Sequence, residues 1–209
     1  LVVGDAAGTA DEAMRVETLA RERGDRRIAY EAGRPRAQGL GEIGRAAEAL
    51  AVLESIDPPD DDARTLLGAQ IAAHRPSEAA ARAEQLAPAL AKVRPTTARR
   101  ARYTLALALQ RAGRFPGAIA MLDPLLTELR SGRPTFLAGA VLQLRAHLAL
   151  ESGAIEECRR LLDRIEPFAA GSSWLGPLVA AQRIDARMAA GELGADLDVA
   201  VETLDARGR

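Results

Sequence analysis

A helix-breaking phrase returns along the chain at nearly even steps, and it constrains the fold more than any other feature. Its clearest copy lies within Thr97 to Arg130. Apolar residues recur at helical spacing through Leu105, Leu109 and Ala112, stop at Gly113-Arg114-Phe115-Pro116, then resume as Ile119, Leu122, Leu125 and Leu129. Two antiparallel helices fit this pattern. Gly113 can take the left-handed backbone that ends a helix, Phe115 can plug the turn, Pro116 suits a first helical turn, and small Ala118 lets the partner helix approach.

The same turn is legible at Gly8-Thr9-Ala10 with Ala13, Gly44-Arg45-Ala46 with Ala49, and His74-Arg75-Pro76 with Ala79. It continues as Gly153-Ala154-Ile155 with Cys158 and as Gly191-Glu192-Leu193. From turn to turn the steps are 36, 30, 39, 40 and 38 residues, the range of helix-pair arrays. Helix-start signals lie between: Asp57-Pro58-Pro59 before Asp60, Arg94-Pro95 before Thr96, Gly132-Arg133-Pro134 before Thr135, and Gly171-Ser172-Ser173 before Trp174.

The expectation is an all-α, right-handed superhelix of about five antiparallel hairpins. It forms one domain over 1–209, with hairpins near 1–23 (partial), 25–56, 60–93, 96–130, 134–167 and 173–207. Breakers at Gly33-Arg34-Pro35 and Gly39-Leu40-Gly41 fall in a helix expected from Arg26 to Ile43, kept here as one element. Pro88 and Pro124 fall inside second helices and are expected to bend them.

Composition agrees with helices. The chain holds 45 Ala, 28 Leu and 27 Arg against one Lys, no Asn and six aromatic residues, so strand-forming material is scarce. A GC-rich genome or selection for phosphate contacts would each explain the preference for Arg over Lys, the first being the simpler reading. With 28 basic and 29 acidic side chains the net charge is -1, which gives no bulk electrostatic reason to seek nucleic acid or membrane. No apolar run approaches the roughly 20 residues needed to span a bilayer. Leu1-Val2-Val3-Gly4-Asp5 carries neither an initiator Met nor a leader, reads as the tail of a helix, and suggests a piece of a longer chain. The single Cys158 fits a reducing cytoplasm.

These residues resemble tetratricopeptide repeats. In the best copy Leu105, Ala106 and Leu109 stand where that family has its Leu, Gly and Tyr, and Phe115 and Ala118 follow the turn as its pattern expects. Arg102 stands where the family has Trp, and there is no regular 34-residue period. The longer, Ala- and Arg-rich units, with phrases such as Leu19-Ala20-Arg21-Glu22-Arg23-Gly24-Asp25, also resemble the helical-repeat regions of large bacterial LuxR-type and maltose-regulator-like transcriptional regulators. The resemblance implies a sensor or assembly arm whose catalytic and DNA-reading parts lie elsewhere.

No catalytic constellation emerges. The six Ser residues include no Gly-x-Ser-x-Gly elbow, and Cys158 sits where a hairpin needs a small buried residue. His74 and His147 lie 73 residues apart, so neither a metal nor another cofactor is expected. His74 is read as a helix end and His147 as a groove or surface residue. Gly4-Asp5-Ala6-Ala7-Gly8 lacks the endings of a phosphate-binding loop. The acids Glu54, Asp57, Asp60, Asp61 and Asp62 lack calcium-loop spacing and suit a helix start.

Two candidate surfaces remain. From Gln85 to Leu122 there is no acid, while Lys92, Arg94, Arg99, Arg100, Arg102, Arg111 and Arg114 supply seven positive charges. A solvated face, a contact for acidic segments, or a phosphate or nucleic-acid site would each explain this. In tetratricopeptide arrays the first helices line a concave groove. Projected by offset from each turn, that face holds Arg34, Gln38, Arg64, Arg100, Tyr103, Gln110, Gln143, His147 and Asp185. Arg can grip a carboxylate with two bonds, so an acidic protein or peptide partner is expected, with pairing of copies through exposed repeat ends. The Asn and Lys of the family's carboxylate-clamp members are missing from this face, since the chain has no Asn and its single Lys lies outside the projected groove.

Overall fold

The computed structural model describes residues 6–129, 136–169, 172 and 175–192. Its regular structure is helical, with no strand among the described residues: α1 (Ala6–Glu22), α2 (Arg26–Glu42), α3 (Ala46–Ser55), α4 (Asp61–His74), α5 (Ala79–Leu90), α6 (Pro95–Arg111), α7 (Phe115–Leu129), α8 (Phe136–Glu151), α9 (Ile155–Ala169) and α10 (Leu175–Ala189). The chain divides into two compact units, Leu1–Ala112 and Gly113–Arg209. The first carries α1 to α6 and the second α7 to α10.

Glycine with positive φ closes most of the turns. At Gly24, Gly44, Gly153 and Gly191 φ is 70, 81, 74 and 70°. The following residue then donates its N–H back across the helix end: Asp25 to the Ala20 carbonyl at 2.8 Å, Arg45 to Leu40 at 2.8 Å, Ala154 to Ala149 at 2.8 Å, and Glu192 to Arg187 at 2.9 Å. This satisfies carbonyls that a helix end would leave bare. Gly113 has the same backbone, φ 68°. The turn at Arg75 has no glycine: its N–H donates to Ile71 at 3.1 Å, and a short 3-10 turn at Pro76–Glu78 leads into α5.

The turn expected at Gly8-Thr9-Ala10 does not exist. Gly8 lies inside α1, which runs on to Glu22, and the first turn among the described residues is at Gly24. Ala10, Ala13, Glu17 and Ala20, spaced by three and four, are the buried face of a continuous helix, so a small-residue pattern meant for packing imitated a turn. The helix expected at 26–43 is a single element despite Pro35. Its glycines serve close packing: a Cβ on Gly33 would stand 2.7 Å from Ile56 Cδ1, and one on Gly39 would stand 2.6 Å from the Ala6 carbonyl oxygen. The start signals at Gly132 to Thr135, the residues Gly171, Ser173 and Trp174, the Leu193 end of the last turn, Leu1 to Asp5 and the remainder of the 173–207 hairpin lie outside the described residues.

Local caps fix the helix starts. Asp25 accepts the Ile28 N–H at 2.9 Å to begin α2, Asp60 accepts the Ala63 N–H at 2.7 Å to begin α4, and Pro95 follows Arg94 into α6. Ser172 accepts the Leu175 N–H at 3.2 Å ahead of α10.

In the first unit, alternate helices are tied in parallel register. Tyr30 donates to the Ala63 carbonyl at 3.3 Å and Arg34 to Gln70 Oε1 at 3.1 Å, joining α2 to α4. Arg111 donates to the Ala73 carbonyl at 3.1 Å, joining α6 to α4, and Arg21 reaches Ser55 Oγ at 3.1 Å, joining α1 to α3. Beneath these bonds Tyr30, Ala37, Leu40, Ala49, Val52, Leu53, Ala63 and Leu67 form a core. The second unit has its own, with Leu142, Ala146, Cys158, Leu162, Ile165, Leu175 and Val179. Each fully buried Leu among them adds roughly 2 kcal/mol of hydrophobic stabilisation before its ordering cost.

One polar contact inside the first unit was invisible in the repeat pattern. Glu17 is 2% exposed, and its carboxylate pairs with Arg36 at 3.0 Å and with Arg21 one helical turn on. A buried carboxylate is tolerable only with such partners.

Candidate functional site

The N-terminal ends of α2, α4 and α6 enclose a cleft of about 650 Å³. Arg27, Tyr30 and Arg34 line it from α2, Asp60 to Ala63 from the start of α4, and Arg94, Thr97 and Arg100 from α6. Caps and turns dictate this gathering. The Asp60 cap brings three acids to the mouth, and Pro95 starts α6 so that Arg94, Thr97 and Arg100 follow at three-residue spacing.

The cleft carries both signs of charge, but its acids are committed. Asp60 caps α4, Asp61 pairs with Arg64, and Asp62 pairs with Arg94 while accepting its backbone N–H at 3.0 Å. That partner holds the Asp62 carboxyl below its usual range, through the Arg94 side-chain hydrogen bond first and the backbone bond second. Arg27 and Arg100 make no ion pair or side-chain hydrogen bond among the described residues. Arg34 uses Nε on Gln70, and its guanidinium sits 5.4 Å from the centre of the Tyr30 ring, with Glu31 4.0 Å from Nη1. Burial pushes the Tyr30 phenol up, and Arg34 pulls it back. The lining thus holds four Arg and four acids, Glu31 included, and of these arginines Arg27 and Arg100 are the two without an ion pair among the described residues.

Of the residues projected as a groove, Arg34 and Arg100 line this cleft. Arg64 is exposed and paired with Asp61, and Gln38 is exposed and donates to Glu42 at 2.8 Å. Tyr103 and Gln110 lie half-buried on α6 away from the cleft lining, with burial raising the Tyr103 phenol. Gln143 and His147 on α8 and Asp185 on α10 belong to the second unit, where His147 Nε2 stands 4.0 Å from Glu151. The sequence projection omitted Arg27 and Tyr30. Tyr30 carried a signal, as the lone aromatic residue of its helix, three positions after Arg27 and four before Arg34.

The basic segment is dispersed. Lys92 is exposed ahead of α6, Arg94 is tied to Asp62, and Arg111 to the Ala73 carbonyl. Arg99 and Arg102 are half-buried on α6, each with an interaction of its own, and Arg114 belongs to the second unit. The acids read as a helix start behave that way or as ion-pair partners: Glu54 meets Arg75 at 2.6 Å and Asp57 meets Arg26 at 2.7 Å.

His74 is the last residue of α4, half-buried, and burial followed by the charge of Arg111 lowers its pKa. Cys158 is fully buried in the second core, which raises its thiol above the usual range. Among the described residues no group of three His, Cys, Asp or Glu could hold a metal ion, and no helix is long and apolar enough to cross a membrane. No protein-family model, curated protein or solved structure matches the chain.

Proposed function

We propose that this chain is a non-catalytic, tetratricopeptide-like helical-repeat module whose first unit holds an acidic segment of a partner protein in the cleft between α2, α4 and α6. The observation that carries this reading is the pair of guanidiniums, Arg27 and Arg100, that line the cleft without an ion pair among the described residues, while Asp60 caps α4 and Asp61 and Asp62 are paired with Arg64 and Arg94. Planar guanidiniums suit carboxylates, and a cleft held by side-chain bonds between helices binds without much ordering of its own. The parallel register of α2, α4 and α6 supports the repeat assignment. The resemblance to the repeat regions of bacterial regulators supports a place in the cytoplasm as the sensing arm of a signalling or transcriptional protein.

A phosphate or nucleic-acid reading draws on the same Arg100 and on exposed Lys92, but Arg94 and Arg111 are already engaged. Fluorescence anisotropy separates the two. A labelled Glu-rich peptide should bind, its Gln counterpart should bind at least about tenfold more weakly, and a single-stranded oligonucleotide should not compete at moderate salt. Equal affinity for the Glu and Gln peptides would remove the proposal, and tight oligonucleotide binding lost steeply with salt would favour the second reading.

A further inference from the structure

The face of α1 turned away from α2 carries a stripe of four residues, Gly8, Glu12, Arg15 and Leu19, spaced by four, three and four and therefore aligned on one side of the helix. They line an open hollow of about 840 Å³ together with Asp11 and Val16. Leu19 is 51% exposed and Val16 42%. Glu12 and Arg15 enter no ion pair or side-chain hydrogen bond among the described residues, although both could reach partners on a facing helix. Val16 also borders a second shallow hollow, between α1 and α2, whose apolar floor includes Ala13, Ile28 and Ala32, with Ile28 48% exposed.

The stripe is self-complementary. When a second copy of α1 is laid against it antiparallel, about a two-fold axis between Glu12 and Arg15, Leu19 of each copy falls opposite Gly8 of the other. Glu12 of each copy then faces Arg15 of the other. A bulky side chain meets a position with none, and two opposite-charge pairs form at the centre. A face that fits itself in this way is the requirement for a closed two-fold dimer. We propose that two copies of this chain associate through the outer faces of α1, with Leu19 seated over Gly8 and reciprocal Glu12–Arg15 ion pairs setting the register. Val16 and Ile28 supply apolar contact at the flank. This surface lies on α1, apart from the cleft residues of α2, α4 and α6, so dimerisation and peptide binding can fail independently.

Charge reversal tests the register directly by sedimentation velocity over a dilution series. The unmodified chain should show a concentration-dependent monomer–dimer equilibrium. Glu12→Arg alone and Arg15→Glu alone each turn both central pairs repulsive and should weaken association by about tenfold or more. An equimolar mixture of the two variants faces unlike charges again and should recover the dimer, a result that a merely structural role for either residue would not produce. Leu19→Ser gives an independent check without charge and should weaken the dimer as well. An unmodified chain that stays monomeric at every concentration, variants that dimerise as well as it does, or a mixture that does not reassociate would each overturn the proposal.

Discussion

Asp62 holds the start of α6 at two points: its carboxylate accepts the backbone N–H of Arg94 at 3.0 Å and pairs with the guanidinium of the same residue. One acidic side chain in the first turn of α4 thereby holds the start of α6, from which Thr97 and Arg100 line the cleft.

Because Arg94 lowers the Asp62 pKa in the folded chain, this contact contributes stability that is present above the unfolded carboxylate pKa, about 3.9, and is lost as pH falls through the lower folded value. Asp62→Asn should therefore lower the thermal midpoint by a few degrees at pH 7. The difference from the unmodified chain should shrink as the pH is taken below 4, which thermal melts followed by circular dichroism would read.

Removing the buried carboxylate should cost more. Glu17→Ala leaves Arg36 without its partner inside the first unit, and chemical denaturation should report a loss of about 2 kcal/mol. The double variant Glu17→Met with Arg36→Leu, which removes both charges and keeps the volume, should recover most of it.

His74 also loses stability as the pH falls, but in a higher window than Asp62. Its pKa is lowered by burial and by Arg111, so the unfolded chain takes up the proton first as the pH drops. Its contribution is complete above the unfolded value near pH 6.5 and declines below it. Between pH 7.5 and 5 the denaturation midpoint should fall, and His74→Gln should flatten that slope. An unchanged slope would place the titrating group elsewhere.

Gly153 isolates the backbone cost of a turn. Its φ is 74°, and a Cβ there would meet nothing within 4 Å, so Gly153→Ala should destabilise the second unit by about 1 kcal/mol through conformation alone. Denaturation monitored by the reactivity of Cys158, fully buried in that unit, would measure it.

Much of the helical plan could be read from local chemistry. Gly44, Gly113 and Gly153 end helices through their own backbones, and Asp60 and Pro95 start them, so each signal needs only its immediate neighbours. Gly8 misled because a small residue ahead of alternating alanines marks either a turn or a packed helix face, and the choice rests on contacts with α2. Arg34 and Arg100, projected from their offsets, both line the cleft between α2, α4 and α6. Glu17 could not be recognised as buried, because the Arg36 that makes burial tolerable lies 19 residues away on another helix. Nor could the commitment of Arg94 and Arg111: the acid-free run from Gln85 to Leu122 looked like a basic surface, while Asp62 and the Ala73 carbonyl that engage it come from α4.

The docking of an acidic segment is tested most directly by backbone amide chemical shifts. When a Glu-rich peptide is titrated into the isotopically labelled chain, the resonances of Arg27, Arg34, Thr97 and Arg100 should shift together and saturate, while those of Met14 and Leu19 on the outer side of α1 stay in place. Shifts confined to α1 or to the second unit, or no saturable shift at all, would contradict the cleft as the binding site.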